Sequence, residues 1–124
     1  MNASANKPRY LLRPRIYIGD AIKIGPGRVE LLRQVNATRS IAAAARSLSL
    51  PYKRAWLLID SLNRGFGRPV VETAAGGKGG GGASLTPLGQ RIIEHYDALE
   101  ARLNTCADEQ LQALCDLASG HNIL

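Results

Sequence analysis

Tyr52, Lys53 and Arg54 stand in a row at the start of a segment with helical periodicity. A lysine or an arginine in that place suits guanine O6 and N7 or a phosphate, and a tyrosine suits a phosphate or a sugar. A second concentration of chemistry is the glycine run 76–82, broken by Lys78. A P-loop reads G-x-x-x-x-G-K-[ST] and opens a helix. Here Gly77-Lys78 is followed by Gly79, and strand-like sequence comes next, so an ATP or GTP site is not expected. The run reads instead as a hairpin tip that approaches a phosphate backbone. Glycines permit the close approach and Lys78 supplies a charge. Arg39, Arg64 and Arg68 are further candidates to hold phosphates. Ser40 is first a helix cap, and the backbone N–H groups beside it also suit a phosphate.

Enzymatic chemistry has no residue set behind it. His95 and His121 are the two histidines, and no carboxylate pair or nucleophile–base arrangement stands out. Cys106, Cys115 and His121 match no ligand spacing, so free thiols are expected and neither a metal nor a cofactor. Two cysteines cannot form a disulfide scaffold, which fits a reducing, cytoplasmic setting. The longest apolar runs, residues 41–45 and 55–59, fall far short of the ~20 residues of a membrane span. The polar start of the chain carries no secretory signal.

Charge narrows the partner. The 124 residues carry a net charge of +6. Residues 1–78 hold 14 basic and 4 acidic side chains, whereas residues 79–124 hold 2 and 6. A basic first part and an acidic tail call for an anionic partner at the first part, and nucleic acid is the commonest.

The elements that must position these residues follow from periodicity and punctuation. Residues 15–24 read as a strand or a loose hairpin around Gly19-Asp20, and Pro26 opens a helix with Val29, Leu31, Leu32 and Val35 as its apolar positions. Ser40 caps a short alanine-rich helix over 41–48. After Ser49-Leu50-Pro51, a third helix runs from Tyr52 to Arg64, burying Ala55, Leu58 or Ile59, and Leu62, with Gly65 as its C-cap. Trp56 is expected in the core or packed on the hairpin rather than on a base. Strand-like pieces at 69–73 and 83–86 flank the glycine tip. Thr86-Pro87 then opens a long helix whose Leu88, Ile92, Tyr96, Leu99 and Leu103 recur at near-heptad steps, as in a dimer seam. A last amphipathic stretch covers 108–118. Helix, turn and basic helix followed by a hairpin form a winged helix-turn-helix, whose second helix enters the major groove.

The segment 40–100, with SIAAAARSLSLPYKRAWLLIDSLNR and VETAAGGKGGGGASLTPLGQRIIEHYDAL, resembles the N-terminal DNA-binding domain of the molybdate-responsive ModE regulators. It is more weakly similar to the helix-turn-helix of LysR-type regulators. The resemblance implies a homodimer on a palindromic operator, with Tyr52, Lys53 and Arg54 opening the recognition helix, Gly76–Gly82 as the wing, and the helix from Leu88 in the dimer interface. Members of that family continue into molybdate-binding β-barrels that open on a Ser-Ala-Arg-Asn-Gln motif. That motif is absent here and the chain ends at Leu124, so a DNA-binding half without the sensor is expected. Pro51 stands where relatives tend to have a serine cap.

The expectation is thus an α+β, mainly helical protein: a flexible arm over 1–14, a winged helix-turn-helix over 15–86, and a dimerising helical segment over 87–124. Its partners are double-stranded DNA, a second copy, and a separate protein recruited by the acidic C-terminal helix. The alternatives are a non-specific DNA-binding adaptor, or a regulator sensing an oxyanion or metal at its dimer interface.

Overall fold

The computed structural model describes residues 11–74 and 82–119. They divide into two compact units, Pro14–Tyr96 and the remainder.

The first unit opens with a hairpin of β1 (Ile16–Ile18) and β2 (Ile22–Ile24), paired antiparallel with Tyr17 opposite Lys23. Gly19 takes the left-handed conformation (φ 58°) that this turn requires. Pro26 then occupies the first turn of α1 (Pro26–Thr38), where its missing N–H costs nothing. Its stripe of Val29, Leu31, Leu32 and Val35 is sealed from water, each at 1% exposure or less. Each such side chain contributes about 1.5–3 kcal/mol relative to leaving it exposed.

The Ser40 hydroxyl accepts from the Ala43 N–H at 3.0 Å and caps α2 (Ile41–Ser47). Ala44 and Ala45 are buried, and their small side chains let the helices around them approach closely. The turn to α3 (Tyr52–Phe66) is tight. Ser49 is left-handed, and the Leu50 N–H reaches back to the Ala45 carbonyl at 2.8 Å. Helix α3 buries Ala55 and Leu62 as expected, and both Leu58 and Ile59, between which the periodicity did not choose.

The C-terminus of α3 differs from expectation. The helix runs on to Phe66, and Gly67 (φ 72°) is the left-handed cap, its N–H donating to the Arg64 carbonyl. Gly65 lies inside the helix for another reason. A Cβ there would sit 2.7 Å from the Ala21 carbonyl oxygen and 3.0 Å from Ile22 Cγ1. The first hairpin is pressed onto α3 at that point.

The wing pairs β3 (Val71–Thr73) with β4 (Ala83–Leu85), Val71 opposite Leu85 and Thr73 opposite Ala83. Thr86 caps α4 (Pro87–Cys106): its hydroxyl accepts from the Gly89 N–H at 3.1 Å and donates to the Pro69 carbonyl at 2.8 Å. Val70, Ile92 and Tyr96 complete the core, and the Tyr96 hydroxyl donates to the Pro14 carbonyl. In the second unit, the Asn104 side chain exchanges hydrogen bonds with the Leu12 backbone, and α5 (Asp108–Ala118) follows. Among the described residues no helix is long and apolar enough to cross a membrane. The first unit is a winged helix-turn-helix.

Replacing glycine by alanine inside a helix usually stabilises by about 1 kcal/mol. At Gly65 the contact with Ala21 reverses the sign, because overpacking costs about 1–3 kcal/mol. Gly65→Ala is expected to lower the urea midpoint of unfolding. A raised midpoint would show that close approach is not why glycine stands there.

Candidate nucleic-acid interface

Helix α3 displays four distinct sides. Its inward stripe is the core face. Opposite it, Lys53, Leu57, Asp60 and Arg64 follow at steps of four, three and four, and Lys53 and Leu57 are exposed. One flank carries Trp56 and Asn63 toward the wing. The other carries Arg54 and Gly65, eleven residues or about three turns apart, toward the first hairpin.

Asn63 fixes the wing. Its Oδ1 accepts from the Val70 N–H at 2.7 Å and from the Val71 N–H at 3.4 Å. Both valines are buried, so without Asn63 these donors would lack a partner. A second tether joins the Ala83 N–H to the Arg39 carbonyl at 2.9 Å, made as Arg39 turns left-handed (φ 60°) to end α1. The start of α3, the start of α2 and the wing base then line one open groove. Ser40, Tyr52, Trp56, Thr73 and Gly82 are among its walls. Arg39 lines an adjoining hollow with Glu72 and Ser84.

Tyr52 (54% exposed), Lys53 and Arg54 project from the first turn of α3. Pro51 precedes them and provides no side-chain cap. Trp56 is 45% exposed and faces the wing base across the groove, so it is not a core residue, and the wing-facing alternative describes it. Arg64 is exposed and held by Asp60 at 3.0 Å, which offsets part of its charge. Arg68 is exposed just beyond the α3 cap. Gly77, Lys78 and Gly79 lie outside the described residues, as do His121 and the start of the expected arm.

The residues of the expected dimer seam divide. Ile92 and Tyr96 are buried in the chain's own core, and Leu88 packs against it. Leu99 is exposed and Leu103 half-buried. The cause is the close seating of α4: a Cβ on Gly89 would lie 2.5 Å from the Val70 carbonyl oxygen. Among the described residues, no three His, Cys, Asp or Glu side chains converge as a metal site would need.

One residue of the basic surface escaped the sequence reading. Arg28, in the first turn of α1, has a buried Nε with no hydrogen-bond partner. Burial lowers its pKa from the ordinary arginine value, the charge of Arg54 lowers it further, and Tyr17 acts in the opposite sense. Its signal was present in the spacing. Arg28 precedes Leu32 by four and Val35 by seven residues, which places a cation at the end of the apolar stripe.

Comparison with known proteins bears out the resemblance. The chain is 48% identical over 79 residues to the molybdenum-pterin-binding protein MopB of Rhodobacter capsulatus, covering 64% of this chain and 29% of that one. It is 45% identical over 74 residues to the DNA-binding transcriptional dual regulator ModE of Escherichia coli K12 (60% and 28%). With the molybdenum transport protein ModE of Azotobacter vinelandii it shares 34% identity over 112 residues (90% and 42%). The chain therefore spans about a third of the length of such relatives. No protein-family profile matches it. Among solved structures, a LysR family transcriptional regulator superposes with a TM-score of 0.52 at 17% identity, over 70% of this chain and 28% of that one. That likeness is one of fold, and it agrees with the winged helix-turn-helix.

Asn63→Ala removes the acceptor of two buried N–H groups. An expected loss of about 1–3 kcal/mol follows, read as a fall of several degrees in the thermal midpoint. Asn63→Asp keeps an acceptor and should lose less. Equal losses in the two variants would mean that Asn63 acts through packing alone.

Proposed function

We propose that this chain is a sequence-specific DNA-binding transcriptional regulator that acts as a homodimer in the cytoplasm. The observation that carries the reading is the outward side of α3, led by Lys53 and flanked by the wing base. A helix so exposed, with a wing beside it, fits the major groove while the wing runs along the backbone. The names of the relatives, transcriptional regulators among them, support the same reading. Their molybdenum-related names suggest target genes that serve molybdenum handling.

In this reading Lys53 reads guanine O6 and N7. Tyr52 and Trp56, on the groove, meet sugars or a thymine methyl group. Arg39, Ser40, Arg68, the wing residues Gly77, Lys78 and Gly79, and Arg64 once released from Asp60, hold phosphates. Each neutralised phosphate steepens the fall of log K with log salt by about 0.9. Leu99 and Leu103 continue into a partner seam with α5. That helix has no buried residue, and Leu114 and Leu117 are exposed on it. An isolated helix of eleven residues is marginal in water, so a covering partner is what its apolar side requires. Leu88, Ile92 and Tyr96 support that seam from inside.

Selection of genomic fragments by the purified protein, with and without molybdate, tests the function. A palindrome preferred over competitor DNA by at least ~10³-fold is expected. No preference would leave a non-specific binder. On the selected site, Lys53→Ala is expected to cost about 1–3 kcal/mol, with little loss on random duplex. An equal loss on both would reduce Lys53 to a phosphate contact. Lys78→Ala should weaken both alike and lower the salt slope by about 1.

A further inference from the structure

Three large apolar side chains stand in water at the start of α3: Tyr52 at 54% exposure, Trp56 at 45% and Leu57 at 48%. Farther along the helix, Leu58, Ile59 and Leu62 are buried and Phe66 is half-buried. The water-facing side of a helix that only had to fold would be polar. An exposed apolar cluster rimmed by polar groups marks a surface that meets a partner. Here the exposed cations Lys53 and Arg54 stand among the three, so the partner is anionic and carries apolar points of its own. Duplex DNA has that character. Its phosphates are anionic, and in the major groove the C5-methyl group of thymine is an apolar point on a base edge.

The three side chains divide between two sides of the helix. Tyr52 and Trp56 line the groove toward the wing base. Leu57 follows Lys53 by four residues, so these two stand on the outward side one turn apart, about 6 Å along the axis. The other members of that side, Asp60 and Arg64, close on each other at 3.0 Å. Lys53 and Leu57 therefore lead the outward side, one a charged donor and the other apolar. A leucine has no hydrogen bond to offer a base. Cytosine and adenine present an amino group at the major-groove edge and guanine a carbonyl. Leu57 would cover each of these without replacing the water it displaces. A methyl group has no such requirement.

We propose that Leu57 reads the C5-methyl group of a thymine, about two base pairs from the guanine read by Lys53. The separation is the 6 Å step along α3 divided by the rise of about 3.4 Å between base pairs. The inference rests on the reading that α3 docks in the major groove, and deepens it. Each half-site then contains a thymine recognised by its methyl group and not by a hydrogen bond, while Tyr52 and Trp56 serve the sugars along the groove.

Deoxyuridine in place of thymidine removes the methyl group and keeps every hydrogen bond of the base pair. The palindrome selected from genomic fragments by the full chain would be resynthesised with one such replacement per half-site, at each thymine in turn. Affinity would be measured for the parent, Leu57→Ala, Leu57→Met and Lys53→Ala. At one position the parent should lose about fourfold per half-site, the value of one buried methyl-sized group. Leu57→Ala should bind the thymine and uracil forms alike, whereas Leu57→Met, still apolar, should keep the difference. Lys53→Ala should keep it too, and should lose its own preference at a base pair about two steps away. On random duplex, Leu57→Ala should match the parent in affinity and salt slope, since no phosphate contact is removed.

A selected palindrome without a uracil-sensitive position overturns the inference. So does a sensitive position that Leu57→Ala still distinguishes, which would give the methyl group to Tyr52 or Trp56. An equal loss by Leu57→Ala on palindrome and random duplex also overturns it, leaving Leu57 to pack on the DNA backbone. In all three results the palindrome is still selected, so sequence-specific binding stands and the role of Leu57 alone falls. If no palindrome is selected, that reading fails and the inference with it.

Discussion

The burial of one stripe of α3 governs what this molecule can present. Ala55, Leu58, Ile59 and Leu62 must all face the core, and that requirement fixes the rotation of the helix about its axis. Rotation by a single residue, about 100°, would exchange core and surface positions at the loss of several buried side chains. Lys53 and Leu57 point outward because the inward stripe leaves them nowhere else. The flanks are then set by contacts of a different kind. Asn63 reaches the wing through two hydrogen bonds, and Gly65 admits the Ala21 carbonyl where any side chain would collide. One helix thereby locates both hairpins, and neither sheet needs more than two short strands.

Electrostatics follows the same geometry. Arg64 is balanced locally by Asp60, and Arg33 by Glu30, so these cations add little to the field beyond their own surroundings. Lys53 and Arg54 have no ion-pair partner of this kind on α3. The first turn of α3 thus carries two cations that the helix's own carboxylate, engaged by Arg64, does not balance. Burial, and after it the charge of Arg54, lowers the pKa of half-buried Arg28 on α1 from the ordinary arginine value.

Much of this was legible because it is local. The caps at Ser40 and Thr86 depend on a hydroxyl and an N–H three residues on, so sequence alone reveals them. The apolar periods of α1 and α3 identified their buried residues for the same reason. What escaped depends on contacts distant in the chain. Gly65 and Gly67 are equally good caps on paper, and only the position of Ala21 shows that the first serves packing and the second the turn. Near-heptad steps along α4 cannot tell a helix's own core from a partner's, since both demand the same spacing. Ile92 and Tyr96 therefore read as seam when they complete the domain. Trp56 was ambiguous because a large aromatic on a helix flank suits core or groove, and the wing decides between them.

The division within α4 carries the last step. Up to Tyr96 the helix belongs to the winged unit, secured by Gly89 against Val70 and by the Tyr96 hydroxyl on the Pro14 carbonyl. From Asp97 its side chains belong to the second unit, and Leu99 marks the change from buried to exposed. The core of the winged unit is thus built from residues of one chain, Ile92 and Tyr96 among them. In the proposed dimer, assembly falls to residues that contribute little to that core. In the proposed regulator, changes at Leu99, Leu103 and α5 would alter the partner seam while leaving the buried stripe of α3 untouched.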